Sequence, residues 1–177
     1  MATRFHGWER VDWVGTLQRI RWTAAMAFCA MMSAFVLAVY WLKTGIGALL
    51  MLAQVAAALA ALLRLREAVL ETGLVFKAWR YVKGSWRGVR RDDIRQLRSY
   101  LLASFVPALG AWPVVFSMAG LPFVMHLPGL VPGGEVLFAI TTLLFVMHFA
   151  TGEVSYRRLA GAVVDSLDSR HVCAVSV

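Results

Sequence analysis

Few side chains able to do chemistry lie within the apolar stretches of this chain: Cys29, Gln54, His126 and His148, with Glu153 close by. A titratable group inside an apolar span is a functional-site hypothesis by default, because its burial is costly without a partner. For His148 a neutral histidine hydrogen-bonded between helices is the commoner case. His148 and Glu153 are five residues apart, about 140° round a helix of 3.6 residues per turn, so one does not serve the other. His126 closes the third apolar segment while His148 lies within the fourth. In antiparallel spans they fall at different depths, which argues against a pair of axial haem ligands. Cys29 sits among Met26, Met31 and Met32, a soft-metal donor set in principle, but methionines at helical spacing in an apolar run more often pack than ligate. Cys173 is far away in the tail, so neither a disulfide framework nor a metal spacing is formed. Walker loop, GxSxG, HExxH and CxxC patterns are all missing from the sequence. The expectation is a protein that is not an enzyme, with no catalytic residue, metal or cofactor.

The elements that must carry these residues follow from hydropathy. Of 177 residues, 60% are hydrophobic and 16% charged, against about 25% charged in soluble domains. Mean hydropathy is +0.67. The predicted fold class is an all-α membrane protein: four transmembrane helices, arranged as two antiparallel hairpins joined by a basic cytoplasmic helical arm. Residues 1–22 mix charges with apolar residues and do not resemble a signal peptide. They read as an interfacial amphipathic segment with Trp8, Trp13 and Trp22 at headgroup level. Residues 23–63 form the first membrane hairpin, since about 20 apolar residues cross a bilayer core and only a few residues around Gly45 separate the two runs. A row of small residues, Gly45, Ala53, Ala57 and Ala61 with Ala56 and Ala60 beside it, predicts close helix packing in the second span. Gln54 in that span is expected to hydrogen-bond between helices.

Residues 64–98 form the basic arm. From Arg64 to Tyr100 the chain holds ten of its eighteen Lys and Arg against four acids, and so +6 of the formal +8. Leu65, Val69, Thr72, Phe76 and Trp79 recur at helical spacing, with Arg66, Glu67, Lys77 and Arg80 away from them. That pattern predicts an exposed amphipathic stalk whose ion pairs are worth about 0–1 kcal/mol each. Lys83-Gly84-Ser85 and Arg87-Gly88 mark a turn. Asp93 with Gln96 then forms a capping box that launches the third span. Lys77, Trp79, Arg80, Lys83, Trp86, Arg87, Arg90, Arg91 and Arg95 are the candidate surface for a partner or lipid.

Residues 99–156 form the second hairpin. Its first helix contains Pro107, Pro113 and Pro122, each of which removes a backbone donor and crowds the preceding turn, so a kinked or broken helix is expected. These prolines, with His148 and Gln54, are the candidate hinge or pathway residues. Leu127–Gly134 reads as an outer turn, and Arg157 and Arg158 anchor the exit into a tail, 157–177, whose last residues read as frayed. Lys and Arg number four before the first span, one in the first turn, ten in the arm, none in the second turn and three in the tail. The positive-inside rule then places both termini and the arm in the cytoplasm, in a bacterial inner membrane.

The expected partners are anionic lipid headgroups and other membrane subunits or copies of the chain. Nucleic acid is disfavoured, because no recognised module surrounds the basic and aromatic residues. The expected function is that of a non-enzymatic subunit or scaffold of a larger membrane assembly, by analogy a secretion or conjugation machinery. Two alternatives stand beside it: an oligomeric channel or small transporter lined by the proline-broken third span, and a membrane immunity protein against a pore-forming toxin.

Overall fold

The computed structural model describes residues 6–84, 91–124 and 131–175. They form four long helices: α1 (His6–Thr44), α2 (Gly47–Gly84), α3 (Arg91–Val124) and α4 (Val131–Val175). Each contains a stretch long and apolar enough to cross a membrane: Trp13–Thr44, Gly47–Arg80, Arg95–Leu121 and Val136–Asp165.

Why the helices assemble is visible in the spacing of their buried residues. In α2 they include Ala53, Ala57, Ala60, Arg64, Glu67, Glu71, Leu74, Ala78 and Val82, at intervals of three and four, with Ala68 and Val75 beside them. In α4, Phe138, Thr141, Phe145, His148, Tyr156, Leu159 and Val163 form a similar line. A stripe at this spacing stays on one face of a helix and packs along a neighbour's full length. Small residues let α1 and α2 approach closely, with Ala24, Ala27, Ala57 and Ala60 sharing one core with Met118 and Phe138. A second core joins Trp13 and Ile20 of α1 to Leu74 and Ala78 of α2, Leu97 and Leu101 of α3, and Tyr156 and Leu159 of α4. Each helix packs on its successor, and α1 also meets α4. Stacked phenyl rings link those two helices, with Phe35 and Phe138 centroids 4.3 Å apart and Phe28 and Phe145 5.8 Å apart. Outward faces are apolar, with Met51, Leu102, Val106 and Phe116 largely exposed.

Several expectations change. The N-terminal segment is no separate interfacial helix, since α1 runs unbroken from His6 through the position read as a boundary at residue 22. Trp13 is buried in the second core and not at headgroup level, while Trp22 is exposed; Trp13 falls on the buried stripe and Trp22 does not. The third span is not broken, because α3 is helical through Pro107, Pro113 and Pro122. A proline removes one donor, and the other hydrogen bonds of so long a helix carry it past the gap. The turn expected at 127–134 is shorter, since α4 already begins at Val131, and the end read as frayed is helical to Val175. Between α1 and α2 the turn is as tight as expected. Gly45 has φ 68°, the left-handed cap that glycine adopts without strain, and two residues reverse the chain.

A buried charge cluster on α2 and α4

The arm's first half departs furthest from expectation. Arg64, Glu67 and Glu71 are not on an exposed stalk but inside the bundle, at 0%, 0% and 2% exposure. Leu65, Val69, Phe76 and Trp79, the apolar row of that stalk, point outward. Of the charges set opposite them only Glu67 is buried, while Arg66, Lys77 and Arg80 are exposed, and the inward face combines the three charges with Ala68, Leu74, Val75 and Ala78. Where the surroundings are lipid, an apolar face is stable outside and the charged face must be sheltered.

From α2 the cluster takes Arg64, Glu67 and Glu71, one turn apart in succession. Arg64 Nη1 forms an ion pair with Glu67 Oε2, its neighbour on the same helix face, and lies 3.7 Å from Glu71 Oε1. Aligned hydrogen bonds do not accompany these ion pairs, and Arg64 Nε and Nη2 have no hydrogen-bond partner. The guanidinium lies over the Phe145 ring of α4, 5.5 Å from its centroid, so an aromatic face supplies part of what water would. From α4, His148 Nε2 is 3.1 Å from both carboxylate oxygens of Glu71. Tyr156, two turns further along α4, is also buried.

Two glycines make the space for this. A Cβ on Gly152 would lie 3.1 Å from Tyr156 Cε2 and 3.8 Å from His148 Nε2, and one on Gly110 of α3 would lie 3.7 Å from His148 Nδ1. The imidazole therefore sits against bare backbone on two sides. Comparison with known proteins finds no matching family model, no similar curated protein and no similar solved structure. The chemistry must be read from the cluster itself. Two carboxylates face one permanent cation, and His148 is the group that meets Glu71 from α4. Among the described residues, no group of His, Cys, Asp and Glu has the geometry of a metal site.

The other residues singled out from sequence scatter. Glu153 does not pair with His148, as its position on the helix predicts; it accepts from Arg21 Nε of α1 at 2.8 Å and from Arg157 on its own helix. Gln54 makes no hydrogen bond through Nε2, which is buried and unpartnered. Thr142 bonds the backbone of Phe138 at 2.8 Å, whereas the buried Thr141 hydroxyl has no partner. Pro107 is buried and Pro113 exposed. Cys29 is a free, exposed thiol. On the outer face of α2 the predicted basic and aromatic residues form a ladder. Phe76 and Trp79 stack with centroids 5.7 Å apart, Arg80 lies over Phe76 and Lys83 over Trp79, each 5.2 Å from the ring. Lys77 and Arg95 are exposed. Trp86, Arg87, Arg90 and His126 lie outside the described residues, and of Arg91 only the backbone is described.

Proposed function

We propose that this chain is a non-enzymatic integral subunit of a larger membrane assembly. In this reading the four helices form two antiparallel hairpins in a bacterial inner membrane, with both termini and the basic α2–α3 connection in the cytoplasm. The distribution of Lys and Arg along the sequence supports that orientation. The observation that carries the reading is the division of charge. Inside, Arg64, Glu67, Glu71 and His148 engage one another across α2 and α4, a polar lock that fixes which helix faces meet. Outside, an apolar shell is left for lipid or foreign helices, and the ladder on α2 leads towards the basic connection.

Affinity purification of the full chain in mild detergent is expected to bring down a second membrane protein in fixed stoichiometry. Replacing Arg87, Arg90, Arg91 and Arg95 with glutamine should release it while insertion is unchanged. A chain that purifies alone as a monomer sinks the proposal.

One observation favours a second reading, a small carrier or channel: a carboxylate and an imidazole in contact inside the bundle are the groups a proton-coupled pathway uses. If it holds, proteoliposomes containing the protein dissipate an imposed pH gradient faster than empty vesicles, and His148→Ala abolishes the difference. Identical rates with and without protein rule it out.

A further inference from the structure

Between the end of α2 and the start of α3 lies an open groove of about 350 Å³. It is lined by the apolar Val82, Leu101, Leu102 and Phe105 together with Trp79, Lys83 and Arg98. We propose that this groove is a binding site for one anionic phospholipid, with the phosphate between Lys83 and Arg98 and the upper part of an acyl chain along the apolar walls. The proposal rests on reading the chain as membrane-embedded, and names where on its surface a lipid is held and of which charge.

The geometry is polarised as such a ligand requires. Along α3, Arg98 is followed one turn later by Leu101 and Leu102 and two turns later by Phe105. At about 1.5 Å per residue Arg98 and Phe105 are about 10 Å apart along the helix. That separation suits a headgroup phosphate followed by the first carbons of a chain. A free phosphate would leave the apolar part unused, and an acidic peptide would have to bring its backbone against walls that offer it no polar partner. Leu102 is 68% exposed and Phe105 37%, so the groove opens outward, towards lipid in a membrane. Trp79 in its lining is 40% exposed and carries the Lys83 ammonium 5.2 Å from its ring, the amphipathic arrangement of an interfacial tryptophan. Selectivity for an anionic headgroup follows from charge. Two cations line the groove, in a segment bearing +6, and each cation near a headgroup surface strengthens binding by about fivefold.

The test uses the full chain in phosphatidylcholine vesicles, with brominated phosphatidylglycerol or brominated phosphatidylcholine added as the quencher. Subtracting the quenching of Trp79→Phe isolates Trp79 from the other six tryptophans. The expected result is that brominated phosphatidylglycerol quenches Trp79 at a mole fraction about twenty-five times lower than brominated phosphatidylcholine. Lys83→Gln with Arg98→Gln should remove that preference, and added inorganic phosphate should leave it intact. Equal quenching by the two lipids overturns the proposal, as does a preference that survives the double substitution or is competed away by phosphate. Trp79 shielded from both lipids while the other tryptophans are quenched also overturns it, and would place a second copy or a protein in the groove. Failure of the membrane reading is distinct, since no tryptophan would then be quenched by either lipid. Both substitutions alter exposed side chains. Should the double variant nevertheless not fold, Leu102→Asp, which charges the wall while leaving the cations, is expected to abolish Trp79 quenching by both lipids, and unchanged quenching overturns the proposal.

Discussion

Replacing Arg64 with leucine is expected to destabilise the protein by about 3–5 kcal/mol, read from unfolding in mixed micelles titrated with a denaturing detergent. Leucine can occupy the apolar part of the site, and loss of the cation–π contact with Phe145 costs about 0.5–2 kcal/mol. Most of the cost is electrostatic. Glu67 and Glu71 are both buried, and without the guanidinium neither faces a permanent cation. Removing one of those carboxylates as well, in Arg64→Leu with Glu67→Gln, is therefore expected to recover most of the loss. A single substitution that costs less than about 1 kcal/mol would show that water or headgroups reach the cluster, and would refute its burial.

The second large effect is an asymmetry between Glu71 and His148. His148→Leu leaves two carboxylates against one guanidinium, with Glu71 deprived of the N–H that both its oxygens face at 3.1 Å. The cost is about 3–5 kcal/mol, as for breaking a buried ion pair from one side. Glu71→Leu leaves Arg64 matched to Glu67 and the imidazole without its partner, at about 1–3 kcal/mol. Combining the two should cost less than the sum by about 1–3 kcal/mol, the coupling of groups in contact. Additive effects, or a greater cost for Glu71→Leu, would mean that charge balance does not govern the site.

The helices are legible in the sequence because hydropathy reports directly on what crosses a bilayer, and the turn at Gly45 because few other residues adopt its backbone. The cluster is not, and the reason lies in two particular steps. Continuing the small-residue row by fours, from Ala57 to Ala61, drifts off the buried face; alternating three and four, from Ala57 to Ala60, leads straight to Arg64, Glu67 and Glu71. Charge also reads as a mark of exposure, which makes Arg64 the first residue of an arm. In water that inference is sound, and it holds for Arg66, Lys77 and Arg80, but a bundle in lipid also shelters charges that pair with one another, as Arg64, Glu67 and Glu71 do. His148 is visible as a buried titratable residue in the fourth span. Its partner is not, because Glu71 is 77 positions away and its pairing depends on which faces of α2 and α4 meet.

The placing of the cluster also bears on how the chain is made. α2 emerges from the ribosome long before α4, so its three charges reach the membrane while His148 is still unsynthesised. Each costs about 2.5–3.5 kcal/mol at the centre of a lone inserted helix. Arg64 and Glu67, paired on one face of the same helix, offset part of that cost without outside help, whereas Glu71 has its nearest counter-charge 3.7 Å away and gains the imidazole only at the end. The nascent first pair of helices is thus held short of completion by one acid. A chain truncated before residue 148 lacks the imidazole that contacts both carboxylate oxygens of Glu71 at 3.1 Å.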